Sequence, residues 1–352
     1  MGNQISIPID DISEEIQSLE YPEPPGTNLT LSLIKENYSN GLSGYVKGLR
    51  VGIYTDLNKC KKLWSLFSHN ESLFDLWDFR YSFYEAYKYK PYFLTILLKD
   101  EVVGILPLWF EDKNYWNEPP HYCWFGSNWN EDNIFFVKDI FYIPILLYFA
   151  PKPLNLSAIK AGQTHKLKNL LSLESDDSKF TLDLTPYRDL EDYLISIKKK
   201  RRHNLRHDRK RISEMKPRHY LNENGILNLM IDMNVKRFLI KNEVVDWEDK
   251  RRANTFKFIA KNSRKYMKRI TSVKIKKKLA AIDYTLIYRD TYYALKGSLD
   301  IESFSGIGNY MTAFEIEDAI ELGMKRLDVL QEESGWKSKW FTEEPLFKIE
   351  IP

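Results

Sequence analysis

Apolar residues recur along this chain in two rhythms, one near 3.6 residues and one of two. Leu57, Cys60, Leu63, Trp64 and Phe67 keep the first, with Asp56 placed as an N-cap, which predicts a helix ending near Phe67. A second, unusually aromatic helical stretch runs from Leu76 to Tyr87 and stops before Pro91. The period then changes. Tyr92 to Leu98 and Val102 to Phe110 flank Lys99-Asp100-Glu101, which predicts a hairpin. A strand at Leu29 to Ile34, a short strand at His121 to Phe125, a helix over Asp139 to Ala150 and strands at Asn155 to Ala158 and Thr181 to Leu184 complete the first half.

In the second half, Leu190, Leu194, Ile197, Leu205 and Ile212 fall near helical spacing, which predicts one long helix from Arg188 that ends before Pro217. Helices over Glu223 to Phe238 and Asp246 to Tyr266 follow. Next come strands at Thr271 to Ile275, Lys278 to Tyr288 and Thr291 to Leu299. The loop Phe304 to Asn309 leads into a helix closed by Gly323 as C′, then strands at Arg326 to Leu330 and Leu346 to Ile351. The two halves repeat a similar order. The expectation is an arm over 1–28 and two related domains, 29–187 and 188–352. Each is of α/β (α+β) class, a mixed, mostly antiparallel sheet flanked by helices.

Composition narrows this. The 352 residues are 43% hydrophobic and 14% aromatic, enough apolar surface to exclude disorder. Two cysteines exclude a disulfide scaffold, and six scattered histidines without an HExxH spacing lead us to expect no metal. The start has no basic and apolar leader, and the apolar run Ile134 to Ala150 is broken by Lys138, Asp139 and Pro144, so neither a secretory signal nor a membrane span is expected. The expected location is cytoplasmic, with peripheral contact at the inner membrane face left open. Met1-Gly2 with Ser6 fits the spacing of an N-myristoylation signal, but the motif is short and common and an ordinary frayed start is the expected reading.

Net charge is only +3, but it is unevenly spread. Lys198 to Arg211 carries nine Lys/Arg against one Asp, and Lys261 to Lys278 carries nine more with no acid, leaving the rest net acidic. Such runs are either solvated faces or the lining of a polyanion site: a phosphate-bearing cofactor, an anionic membrane or RNA. No helix-turn-helix, zinc-finger or RNA-recognition spacing is present, so sequence-specific DNA binding is not expected.

Three segments bear on chemistry. Ser305-Gly306-Ile307-Gly308-Asn309 stands before a helix, where converging backbone N–H groups suit a pyrophosphate, although a glycine pair can equally ease a turn. Asp283 interrupts the apolar strand Leu279 to Tyr288, so its carboxylate needs a partner or a wet cleft. Asp328 to Trp340 sets acids beside Gly335-Trp336-Lys337, with Glu332 as a candidate general base. Both cysteines read as core.

Together these residues resemble the CelD/BioF2-like acetyltransferase domain family of the GNAT superfamily, related to the FemABX peptidyltransferases. The resemblance rests on Lys199 to Asp208, Leu279 to Tyr284, the Phe304–Asn309 loop, Ala319 to Gly323 with Asp328, Gly335 to Trp340, and Trp124-Phe125-Gly126 with Asp132. It implies tandem GNAT-like domains that move an acyl group from acetyl-CoA or a longer acyl-CoA directly to a primary amine on a small molecule, sugar or peptide. In that scheme Ser305, Gly306, Ile307, Gly308 and Asn309 bind the pyrophosphate and Arg201, Arg202 and Arg206 the adenosine phosphates. Strand N–H groups at Tyr284 and Thr285 polarise the carbonyl. Asp283 or Glu332 takes the amine proton, and Tyr292 or Tyr293 protonates the leaving thiolate. Trp124, Asp132, Trp336 and Lys337 face the acceptor. Two alternatives stay open: an aminoacyl-tRNA donor, as in the Fem relatives, and a non-catalytic GNAT-like binding module at a membrane or in a complex.

Overall fold

The computed structural model describes residues 49–112, 119–127, 129–162, 173–240, 246–332 and 335–352. The expected arm over 1–28, the strand at Leu29 to Ile34 and Gly2 lie outside the described residues. The chain forms two compact units, one holding residues up to Asp176 together with Pro345–Pro352, the other Asp177–Glu344.

The first unit contains β1 (Leu49–Tyr54), α1 (Leu57–Phe67), α2 (Trp77–Tyr87), β2 (Pro91–Leu98), β3 (Glu101–Glu111), β4 (His121–Trp124), β5 (Phe136–Val137), α3 (Tyr142–Phe149), β6 (Leu154–Lys160) and β7 (Glu174–Ser175). The second contains β8 (Lys179–Asp183), α4 (Leu190–Ser196), α5 (Lys199–Glu214), β9 (Arg218–Leu221), α6 (Ile226–Ile240), α7 (Lys250–Lys261), β10 (Met267–Ile275), β11 (Lys278–Tyr288), β12 (Thr291–Leu299), α8 (Ile307–Glu321), β13 (Arg326–Gln331) and β14 (Thr342–Glu344). The last strand, β15 (Leu346–Ile351), returns to the first unit.

The first sheet runs β1-β2-β3-β4-β6-β15-β7, with β5 on β3. The second runs β14-β8-β13-β12-β11-β10-β9. Both are mixed and mostly antiparallel, as expected: β4 with β6 and β12 with β13 are the parallel pairs. In the second unit α5 and α8 bury Leu205, Ile212, Ile307, Met311 and Ile316 in the clusters that include the β11 and β12 side chains Ala281, Ile287 and Tyr292. The opposite face carries α6 and α7, tied by Tyr284 Oη donating to the Phe256 carbonyl at 3.1 Å and Ser298 Oγ to that of Met230 at 3.1 Å. A sheet covered on both faces explains why β11 reads as an almost unbroken apolar run.

Several local expectations hold. Asp56 accepts from Lys59 N at 2.9 Å and starts α1. Gly323, at φ +72°, closes α8 in a Schellman motif, with Gly323 N bonded to Ile320 O and Met324 N to Ala319 O. Others need correction. The helix expected over Asp139 to Ala150 starts only at Tyr142, because the Asp139 carboxylate accepts from Phe141 N and holds a turn ahead of it. The long helix from Arg188 is two helices, broken where Ile197 is extended and Lys198, at ψ 135°, also leaves the helical region. Asp189 caps the first of them, and the break lets Leu194 and Leu205 both reach one core. The unit division also differs from 187/188. β8 pairs with β13 and β14, so it belongs to the second sheet, while β15 pairs with β6 and β7 in the first. Such pairing is made between residues far apart in the chain, and order along the sequence does not reveal it.

Candidate functional site

Among the described residues, the second sheet opens between β12 and β13. Parallel β12 and β13 pair only over Thr291–Tyr293 and Arg326–Asp328, although β12 continues to Leu299 and β13 to Gln331. Beyond Tyr293 and Asp328 no ladder joins them among the described residues, so two strand edges present backbone groups to whatever enters. Both strands are shaped at this point. Tyr284 pairs with Lys296 but Thr285 with Ala294, which leaves Leu295 as an extra, bulged residue in β12. In β13, Asp328 Oδ1 accepts from Leu330 N at 3.0 Å, and Leu330 takes a φ of +63°. The ammonium of Lys179 on β8 lies 2.7 Å from Asp328 Oδ2, with both side chains 1% exposed, and anchors the parting point.

Beside the opening is a buried group of acids. Asp283 sits in mid-β11, opposite Thr271 on β10 and Gly297 on β12. A Cβ at position 297 would stand 2.9 Å from Asp283 Oδ1, so glycine there makes the space for the carboxylate. Asp283 Oδ2 is buried with no hydrogen-bond partner among the described residues. Burial pushes this carboxyl up to about 7. Glu315 of α8 is also buried and is held well above the carboxylate range by burial first, then by Asp283 and Asp318. Asp318, one turn further on α8, accepts from Arg269 Nε at 2.6 Å and from Tyr292 Oη at 3.1 Å. Chemically, burial favours the protonated form of Glu315, Asp283 beside it titrates near neutrality, and Asp318 is paired with Arg269. A carboxyl poised in this way can accept a proton from an ammonium.

The other candidates are dispersed. Tyr292 is buried and commits its hydroxyl to Asp318; burial, Glu315 and Asp318 hold it well above the usual phenol range. Tyr284 points to the opposite face, toward Phe256. Thr285 is buried, with β10 and β12 on either side in the ladder, so the free strand edge lies on β12 rather than on β11. Glu332 is exposed after β13, which β12 separates from β11. Lys337 is buried and donates to the carbonyls of Leu330 and Gln331, holding the end of β13. Trp336 packs edge-on against Phe341, with ring centres 5.9 Å apart.

The glycine loop is already filled from within. Gly306, at φ +86°, precedes α8, and a Cβ there would collide with Arg211 and Asp208 of α5. Arg211 Nη2 donates to Ser305 O at 2.6 Å and to Asp208 Oδ1 at 2.8 Å, while Asn309 Nδ2 donates to Asp208 Oδ2 at 2.7 Å. Ile307 is fully buried in the core, and the space beside Gly308 is bounded by Leu299. A carboxylate therefore stands at the N-terminus of α8, where a ligand anion was expected. Arg201 donates to Lys339 O, Arg202 to Ile195 O, and Arg206 pairs with Glu191, so these three cations brace α5.

Trp124 and Asp132 belong to the first unit. Trp124 is buried and donates to Ser157 O at 2.9 Å. Asp132 is buried in a turn whose charge acts on Arg80. Arg80 in turn donates to the carbonyls of Phe74 at 2.7 Å and Phe125 at 3.2 Å, and burial lowers it to about 9. Sequence reading missed Glu315, Asp318 and Lys179. Met311, Glu315 and Asp318 recur at i, i+4 and i+7, which sets acids on the same helical face as a buried methionine, and that was the available signal.

Residues 199–338 match the model of the acetyltransferase (GNAT) domain family. No curated protein matches the chain by sequence. Among solved structures, FemX superposes with a TM-score of 0.53 at 10% identity, covering 85% of this chain and 97% of that one. A tandem GNAT protein from the clavulanic acid biosynthesis pathway gives 0.50 at 10% identity, covering 86% and 98%. The L-PGS of Bacillus licheniformis gives 0.51 at 10% identity, covering 84% and 92%. At these identities the likeness is one of fold.

Proposed function

We propose that the second unit, in which residues 199–338 match a GNAT acetyltransferase domain model, moves an acyl group from an activated carrier directly to a primary amine. The observation that carries this reading is the parting of β12 from β13 beside a carboxyl poised near neutrality, Asp283. The acyl chain of the donor lies along the free edge of β12, and the bulge at Leu295 turns backbone N–H groups toward the carbonyl oxygen. The amine nitrogen attacks the acyl carbon, forming C–N and breaking the bond to the carrier's sulfur or oxygen. Asp283 takes the ammonium proton, directly or through one water, and the departing group is reprotonated from solvent. Tyr292, Asp318 and Arg269 hold the acidic group in place.

Acyl-CoA is the carrier that the domain's general chemistry favours. It requires its pyrophosphate to displace Asp208 from the start of α8. That occupied site favours a second reading, an aminoacyl-tRNA donor, which needs no pyrophosphate there and would use the exposed cations of α5, Lys199, Lys200 and Lys210. FemX among the structural neighbours is in keeping with this second reading.

The test is calorimetric titration with acetyl-CoA, long-chain acyl-CoA and charged tRNA at low and high salt, followed by an amine screen with the donor that binds. Saturable binding and turnover, lost in Asp283→Asn with the fold intact, support the proposal. Binding of no donor, or full turnover by Asp283→Asn, would sink it and leave the non-catalytic module.

A further inference from the structure

The first unit gathers a second set of reactive side chains that the acyl transfer does not use. In the β3–β4 ladder Glu111 stands directly opposite His121, and Trp109 opposite Cys123. Strand alternation then puts Glu111, His121 and Cys123 on one face. All three are buried, and one ligand atom from each lies within 4.8 Å of the others. The Cys123 thiol donates to Glu111 Oε2 at 3.3 Å and accepts from Trp109 Nε1 at 3.1 Å.

His121 decides what this group is for. Its Nδ1 lies 2.8 Å from the Pro119 carbonyl, an acceptor only, so Nδ1 carries the proton and Nε2 keeps its lone pair. That Nε2 is buried with no hydrogen-bond partner among the described residues, and the residue is 6% exposed. A buried acceptor left in this state is costly, and a bound ligand would satisfy it. A backbone carbonyl on one imidazole nitrogen and an open lone pair on the other is the arrangement of a metal-ligating histidine.

The geometry points to a zinc-type divalent metal site formed by His121 Nε2, Cys123 Sγ and a Glu111 carboxylate oxygen. Ligand atoms on a tetrahedral zinc stand roughly 3.3–3.8 Å apart, so small side-chain rotations close the present spacing. Imidazole with a thiolate selects zinc over magnesium or calcium, and three protein ligands leave a fourth position open. On binding, the Cys123 proton passes to solvent. Thiolate and carboxylate then balance the dication, which suits a buried site. The Trp109 indole N–H and the Pro119 carbonyl supply the outer hydrogen bonds such ligands require. The metal would clamp the two ends of the β3–β4 connection.

The experiment uses the full chain, stripped with a chelator and titrated with Co(II), then back-titrated with Zn(II). One Co(II) per chain with a thiolate-to-cobalt charge-transfer band, bleached by zinc, is expected. Cys123→Ser should lose the band, and Glu111→Gln, which preserves shape, should weaken binding by at least about tenfold. Cys60→Ser, at the other buried cysteine, should change neither. Absence of a stoichiometric band, or a band that survives in Cys123→Ser, overturns the proposal. Protons released in dilute buffer on metal addition give a readout that does not depend on any variant's folding.

Discussion

Lys179 Nζ and Asp328 Oδ2, 2.7 Å apart and both buried, form an ion pair at the point where β13 leaves β12. Asp328 also ties down Leu330 N, so one carboxylate fixes both the charge and the bend of the strand. Removing one partner leaves the other charged in a dry interior. Lys179→Met is expected to cost about 3–5 kcal/mol, and the double variant Lys179→Met/Asp328→Leu to recover much of it. Urea denaturation of the two single variants and the double checks this; equal losses that simply add would argue against the pair.

A pH dependence follows from Asp283. An ordinary aspartate titrates near 3.8, whereas burial raises this one to about 7. Between those values the unfolded chain has released a proton that the native state retains, so native stability falls as pH rises from about 4 toward about 7. Glu315, raised by burial in the same direction, adds to the decline. Asp283→Asn should flatten the lower part of the slope in denaturation curves taken across this range. If Asp283 is the base, turnover rises over the same interval, since the deprotonated form does the work.

Gly297 is required for space. Gly297→Ala places a methyl 2.9 Å from Asp283 Oδ1 and pushes the carboxylate aside. Turnover should drop on the order of tenfold or more, with a smaller effect on the thermal transition. Steady-state kinetics beside a melting curve separates the two; an unchanged rate would remove Asp283 from the reacting geometry.

The start of α8 distinguishes the donors. If acyl-CoA uses this loop, Asp208→Asn removes a competing carboxylate and should raise its affinity about 2–5-fold. If the donor is aminoacyl-tRNA, the same change leaves tRNA binding intact while raising salt weakens it steeply. Titration calorimetry of wild type and variant reads both.

Much of the fold is visible in the chain because local rules govern it. The caps at Asp56 and Gly323, the hairpin at Lys99 to Glu101 and the strands Lys278–Tyr288 and Thr291–Leu299 each follow from residues adjacent in sequence. Asp283 stands out for the same reason, as one charge in a run of apolar neighbours. The paired acids do not, since Glu315 and Asp318 look like polar positions on an ordinary helix until β11 is laid beneath them.

The sequence by itself determined the two-domain α/β class, the resemblance to GNAT transferases and the buried strand bearing Asp283. Periodicity, capping and composition act over a few residues and survive without knowledge of the fold. Only the tertiary structure decided that β15 returns to the first sheet, that Asp208 fills the α8 terminus, and that Lys179 meets Asp328. It also brought Glu111, His121 and Cys123 onto one face. These are contacts between segments distant in the chain, set by strand register and helix docking, and no local pattern encodes which distant partner a side chain will find.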